Sequence, residues 1–188
     1  MSKIIIISAP SGTGKSTIIH YLMSNVPELN LCFSISATSR PPRGAEQEGV
    51  EYYFLTEEAF RKGIAQEDFI EYEEVYPGKF YGTLKSEITR IHALDKNVIL
   101  DIDVLGALNI KKMYGPSALT IFVKPPSLDA LRKRLEYRNT DTSKVIEERI
   151  RKAEFEINHS KDFDACFIND DLSKCCKEIE VYLRQQLK

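Results

Sequence analysis

No sign of charge dominates this chain, since 26 basic residues stand against 28 acidic ones for a formal net charge of −2. Without a global basic field, general nucleic-acid binding is not indicated, and any anion site has to be built locally. Histidine is scarce: His20, His92 and His159 show no ligand or catalytic spacing and read as structural or exposed. Cysteine is scarce too. Cys32, Cys166, Cys175 and Cys176 lack paired metal spacing, and the adjacent Cys175-Cys176 pair favours buried or half-exposed thiols over a disulfide framework, which fits a reducing compartment. Long apolar runs are missing. The stretch Ile4–Ile7 is too brief for a signal peptide, and nothing approaches a membrane span, so a cytoplasmic protein with no membrane partner is expected. What is present is 43% hydrophobic residues in 188, enough for one compact domain with a real core and small inserts.

The run Lys3 to Ser8 is a continuous β-branched stretch of the kind buried on both faces of a parallel sheet, and it reads as a first, central strand. Asn97 to Asp103 and Ala118 to Val123 are further strands, separated by stretches of helical spacing, and Ala165 to Asn169 is a late one followed by a helix over about 172–187. The fold class is therefore α/β with a mainly parallel sheet. Between these pieces, Arg40 to Gly49 is turn-rich and polar and Glu51 to Leu55 is a short aromatic strand, so that about 35–90 looks like an insert. Arg138 to Ser143 is another polar stretch. It leads into a charged helix with Val145, Ile146, Ile150, Ala153 and Ile157 at helical spacing, a segment able to move as a lid.

Ala9, Pro10, Ser11, Gly12, Thr13, Gly14, Lys15 and Ser16 fit the Walker A pattern except for alanine in the first position. The pattern needs a tight strand-to-helix turn with backbone N–H groups aimed at phosphate oxygens, and Gly12 and Gly14 permit it. Lys15 then reaches the β- and γ-phosphates, the Ser16 hydroxyl is placed for Mg²⁺, and the helix from about Lys15 to Met23 adds its positive end. The plain alternative is a Ser/Gly turn that merely caps a helix. A chance match of the four fixed positions is on the order of one percent for average composition, and this one directly follows a buried strand. Nucleotide binding is expected; the loop alone does not name the reaction.

Asp101 and Asp103 lie two apart in the second long strand, so both carboxylates are expected on one face near its carboxyl end, where ligands bind in open α/β sheets. One is expected near Mg²⁺ and the other near an acceptor. The assignment of Asp101 to the metal and Asp103 to the acceptor could be exchanged.

Phe33 to Glu46 and Gly49 to Phe54 closely resemble the signature of the guanylate kinase family. Further matches follow in order along nearly the whole chain: Phe69 to Tyr72, Tyr81 to Thr83, Asp101 to Gly106, Arg134 to Arg138 and Ile168 to Leu172. The resemblance implies a P-loop NTPase core over about 1–34, 91–134 and 155–188, a mixed α/β GMP-binding insert over about 35–90 and a helical lid over about 135–154. It also implies ATP and GMP as substrates, dGMP as a further acceptor, and Mg²⁺ as cofactor. Whether the protein is a monomer or a homo-oligomer is left open.

The chemistry of the acceptor agrees with that resemblance. A phosphate dianion suits two forked donors such as Arg40 and Arg43, three apart across a Pro-Pro bend. By resemblance, Tyr52 and Tyr81 add hydroxyl donors to the same phosphate. Guanine offers donors at N1 and N2 and an acceptor at O6, which calls for a carboxylate beside hydroxyls; Glu71 resembles that carboxylate, with Ser36 and Thr83 as the hydroxyls. Adenine would leave buried polar groups unpaired there, a mismatch that discriminates by roughly 10⁴-fold. Each residue alone could be a solvated charge or a half-buried strand aromatic; together they read as a site.

In the same family, arginines matching Arg134, Arg138 and Arg149 close over the phosphates. The resemblance thus gives Lys15, Arg138 and Arg149 as catalytic, Ala9 to Thr17 with Arg134 and Asn169 as ATP-binding, and Ser16 with Asp101 as metal-binding. Asn169 would lie near the adenine. Two positions depart from the family pattern: Leu105 stands where glutamine is frequent, and Tyr137 where glycine is common. The competing reading from another class is a non-catalytic guanylate-kinase-like binding module, which the intact Lys15, Ser16, Arg138 and Arg149 oppose. Another base preference is opposed by Glu71 and Thr83.

Overall fold

The computed structural model describes residues 2–137 and 141–187. Arg138, predicted as catalytic, lies outside the described residues. The chain forms two compact units, one of Lys3–Leu31 with Ile99–Lys188 and one of Cys32–Val98. Among the described residues, no helix is long and apolar enough to cross a membrane.

The elements of the chain begin with β1 (Ile4–Ser8), α1 (Lys15–Asn25), β2 (Leu31–Phe33), β3 (Ala37–Thr38), β4 (Tyr53–Phe54), α2 (Glu57–Ala65), β5 (Phe69–Tyr76), β6 (Lys79–Leu84) and α3 (Lys85–Ala93). They continue with β7 (Asn97–Asp101), α4 (Val104–Tyr114), β8 (Ala118–Lys124), α5 (Leu128–Tyr137), α6 (Ser143–Asn158), β9 (Ala165–Ile168) and α7 (Leu172–Gln186). The five-stranded sheet has the order β2-β7-β1-β8-β9, and the boundary between the units falls within β2 and β7.

In the first unit β1 is central, and all five of its residues are buried, which is why its sequence is an unbroken apolar run rather than an alternating one. It runs parallel to β8 from Ile4 opposite Ala118 to Ser8 opposite Phe122, and β8 runs parallel to β9 from Ile121 opposite Ala165 to Lys124 opposite Ile168. On α7, Cys175, Ile179 and Leu183 recur every four residues and are buried, so this face of the helix joins the core. Both Cys175 and Cys176 are buried free thiols, and burial pushes Cys175 up to about 12. Helices α5 and α6 form a cluster of their own through Leu131, Leu135, Ile146, Ile150 and Ala153.

The strand expected to continue to Asp103 stops at Asp101. Asp103 instead caps α4, its carboxylate accepting from the Gly106 N–H at 2.8 Å, so the two acids are not neighbours on one strand face. A carboxylate that can bind an orphan N–H of a helix's first turn competes with strand continuation, and here the cap prevails.

The second unit has its own four-stranded sheet in the order β4-β3-β6-β5. β3 is parallel to β4 and antiparallel to β6, and β5 and β6 form a hairpin. Its core is aromatic: Phe60 stacks on Phe69 at 4.2 Å and on Phe80 at 5.3 Å, beside Ala37. Gly82 is required within the ladder, opposite Tyr72, since a Cβ there would come within 2.7 Å of the Glu71 carbonyl oxygen. The aromatic strand expected from Glu51 to Leu55 is reduced to two residues, because Val50 and Glu51 are held in a turn by hydrogen bonds to the Gln47 carbonyl.

Candidate active site

The turn between β1 and α1 is shaped for anions. Its first hydrogen bond runs from the Thr13 N–H to the Pro10 carbonyl at 3.1 Å, Gly12 has φ 93°, and Gly14 caps α1 in the left-handed region with φ 98°. A side chain at Gly14 is excluded twice, by that dihedral and by Asn169, whose Nδ2 would lie 2.7 Å from a Cβ. Ala9 is 7% exposed and Pro10 is buried, so the first position of the loop has no room to spare and alanine fills it. Ser11, Ser16 and Thr17 are exposed, and Lys15 is half-buried.

Lys15 is ion-paired with Asp101 at the end of β7, which places the loop's cation beside the carboxylate predicted to serve a metal. The oxygens of Ser16 and Asp101 are hard donors of the kind Mg²⁺ takes. Among the described residues no group of three or more His, Cys, Asp or Glu could hold a metal by itself.

Asn169 is 3% exposed, and its Nδ2 donates to the Thr13 carbonyl at 2.6 Å. Its backbone N–H donates to the Lys124 carbonyl at 2.8 Å, so the residue ties the end of β9 to the loop. Sequence reasoning placed Asn169 near an adenine; its visible bond is to the loop itself. Beside it opens a cleft of about 540 Å³ lined by Gly12, Thr13, Gly14, Lys133, Arg134, Tyr137, Asn169, Asp170 and Leu172. Arg134 is half-buried and donates to the Asp170 carbonyl at 3.3 Å. Tyr137, where the family pattern has glycine, is 92% exposed at the cleft, so no packing opposes the larger side chain.

Arg149, one turn and a half into α6, donates from Nη1 to the Ser11 hydroxyl and pairs through Nη2 with Asp141 at 3.1 Å. The predicted lid arginine is therefore already over the phosphate loop. Asp141 was not singled out in the sequence; the signal for it is an acid just before the Thr142 cap, on the approach to the helix that carries Arg149.

In the second unit, Glu71 and Thr83 face each other across β5 and β6, and the Thr83 hydroxyl donates to Glu71 Oε1 at 2.7 Å. Thr83 is fully buried. Arg40, 5% exposed, donates from Nε to the Tyr81 hydroxyl at 3.0 Å, and from Nη1 and Nη2 to Glu46 at 2.6 and 2.8 Å. Glu46 also accepts from the Arg43 N–H at 2.8 Å, so one carboxylate organises both arginine positions. The Glu46 bonds raise the Arg40 pKa above its ordinary value, and the Arg40 guanidinium with the Arg43 N–H holds Glu46 down to about 2. The Arg40 guanidinium lies 5.0 Å above the Tyr52 ring, which meets the Tyr81 ring edge-on at 5.8 Å; burial, with Tyr81 adding to it, raises the Tyr52 pKa. Arg43 is exposed, and Ser36, half-buried, accepts from the Tyr53 N–H through its carbonyl. Sequence reasoning gave Glu46 no role; the signal was an acid three residues from Arg43 and six from Arg40.

The family model described as guanylate kinase matches residues 1–186. The guanylate kinase of Porphyromonas gingivalis is 57% identical over 98% of each chain, and that of Salinibacter ruber 47% identical over 98% of this chain and 96% of its own. The crystal structure of guanylate kinase from Anaplasma phagocytophilum superposes with a TM-score of 0.76 at 30% identity, over 100% of this chain and 87% of that one. The chain belongs to the guanylate kinase family. Within that family's pattern, Leu105 in place of the frequent glutamine is 52% exposed on α4, so the departure costs this chain no buried partner.

Proposed function

We propose that the protein is a cytoplasmic guanylate kinase that transfers the γ-phosphoryl group of ATP to GMP, giving ADP and GDP. The observation that carries the acceptor choice is the buried Thr83 hydroxyl donating to Glu71, a carboxylate–hydroxyl pair suited to guanine N1, N2 and O6. An adenine in the same place would turn an N1 lone pair toward Glu71. Arg40, Arg43, Tyr52 and Tyr81 take the acceptor phosphate, and Ser36 and Asp103 add polar contacts to the nucleotide.

On the donor side Gly12 to Thr17 cradle the ATP phosphates, and Arg134 and Asn169 belong to the adenine end beside the cleft. Ser16 and Asp101 would hold Mg²⁺, which when bound neutralises charge on the β- and γ-phosphate oxygens. The acceptor oxygen is already ionised, so no side chain has to remove a proton. The protein's work is to align two polyanions and to match the charge that develops between them, with Lys15, Arg149 and Arg138 around the moving group. Closure over the site excludes water that would hydrolyse ATP.

The test is ADP release coupled to an indicator reaction, with ATP against GMP, AMP, CMP and UMP. Turnover with GMP well above the other three is expected. Inactivity toward every nucleotide would instead favour a binding module built on the same fold.

A further inference from the structure

One buried ionisable group in the second unit takes no part in the site described above. Glu87 stands in the first turn of α3 and is 2% exposed. A carboxylate is almost never buried to that degree unless it is paired, so its partners carry the meaning. Oε1 accepts from the Ile35 N–H at 3.0 Å and from Arg90 Nη2 at 2.7 Å. Oε2 accepts from the Tyr53 hydroxyl at 3.0 Å and from Arg90 Nε at 2.9 Å. Burial pushes this carboxyl up, and the bonds from Arg90, Ile35 and Tyr53 outweigh it, leaving it below the usual range. Each oxygen already accepts two hydrogen bonds, which fills the ordinary capacity of an ionised carboxylate. Glu87 therefore has nothing left to offer a substrate.

Its partners lie next to residues that do. Ile35 precedes Ser36, and Tyr53 follows Tyr52 while its N–H donates to the Ser36 carbonyl at 2.9 Å. Glu87 itself follows β6, which carries Tyr81 and Thr83, by one turn of helix. Three separate segments bearing acceptor-site residues thus meet at one carboxylate. Two of them need such an anchor: β3 and β4 have two residues each, too few for ladder hydrogen bonds to fix their positions alone.

We infer that Glu87 is a positioning residue for the acceptor site: by joining Ile35, Tyr53 and the start of α3 it sets the spacing of Ser36, Tyr52, Tyr81 and Thr83, and with it the affinity for GMP. The inference rests on the acceptor-site reading proposed above.

The experiment compares wild type, Glu87→Gln and Tyr53→Phe by steady-state kinetics in each substrate, by calorimetric titration with GMP, and by urea unfolding. Glu87→Gln keeps the shape but sets an amide against the Arg90 guanidinium, while Tyr53→Phe removes one bond only and serves if the first variant does not fold. About tenfold weaker GMP binding is expected in Glu87→Gln, with a matching rise in KM for GMP, and about threefold in Tyr53→Phe, as for the loss of charged and neutral hydrogen bonds respectively. The KM for ATP, and kcat at saturating GMP, stay within about twofold, because the interaction is felt equally in ground and transition states. Folded variants with wild-type GMP affinity, or with both KM values raised together, overturn the positioning role. A wild type that binds no GMP overturns the acceptor-site reading and this inference with it.

Discussion

On the proposed reading, a single carboxylate, Glu71, chooses the base. Glu71 can accept from both guanine N1 and N2 only while it is ionised, and Thr83 holds one of its oxygens in place. Replacing it by glutamine gives an amide that accepts one donor, repels the other and can donate to adenine. Glu71→Gln is expected to lower the GMP-over-AMP ratio of kcat/KM by at least about tenfold, read from paired initial-rate series; an unchanged ratio removes Glu71 from the reader role. Glu46 makes a different prediction, on stability. Its folded-state pKa of about 2 lies below the ordinary 4.5, so the stabilisation it gives is complete above the unfolded value and is lost as pH falls from there toward the folded one. The urea midpoint of wild type should exceed that of Glu46→Gln at neutral pH, and the gap should close between about pH 4.5 and 2. A gap constant with pH would mean that Glu46 acts by shape and not by charge.

At the scale of elements, what could be read in advance was what local chemistry dictates. The unbroken β-branched run of β1 could only be a strand covered on both faces, and the glycines at positions 12 and 14 are the residues a left-handed strand-to-helix turn needs. What could not be read was competition between elements for the same polar group. Asp103 looked like a strand residue because nothing in the sequence weighs strand continuation against the orphan N–H of Gly106. Glu46 was given no role because its partner Arg40 lies six residues away in sequence, and Glu87 was not singled out, one of its partners, Ile35, being 52 residues away. The α5–α6 pair lies between these cases. Its apolar spacing was legible, but the reach of Arg149 to Ser11 depends on how the two helices pack through Leu135 and Ile146. Arg149→Ala is expected to cut kcat by roughly 10²-fold with a much smaller change in KM for GMP, and Arg149→Lys to restore part of the rate, since an ammonium keeps the charge without the planar fork. Steady-state kinetics on the two variants decides it, with circular dichroism as the check on folding. A folded Arg149→Ala protein with wild-type kcat would exclude this arginine from the transfer step.

At the scale of the whole molecule, the residues proposed for the donor and those proposed for the acceptor fall in different units, except Asp103, which is proposed for the acceptor and belongs to the donor's unit. The phosphate loop, Asp101, Arg149 and the cleft beside Asn169 all belong to the unit of Lys3–Leu31 and Ile99–Lys188, whereas Ser36, Arg40, Arg43, Tyr52, Glu71, Tyr81 and Thr83 belong to Cys32–Val98, a unit with its own sheet and aromatic core. Under the proposed reading, binding of GMP and transfer chemistry are expected to fail independently. Lys15 is proposed to neutralise donor phosphates, and among the described residues it is ion-paired with Asp101. Lys15→Ala is therefore expected to abolish turnover while leaving the calorimetric affinity for GMP nearly unchanged, and the converse variant, Arg40→Met, to weaken GMP binding while ATP binding persists. The second half is the stricter one, because Arg40 is a buried cation whose removal strands Glu46 without its bidentate partner, and the resulting damage should stay inside the unit that contains both. Loss of GMP binding in Lys15→Ala, or loss of ATP binding in a folded Arg40→Met protein, would show that the two units do not divide the substrates between them.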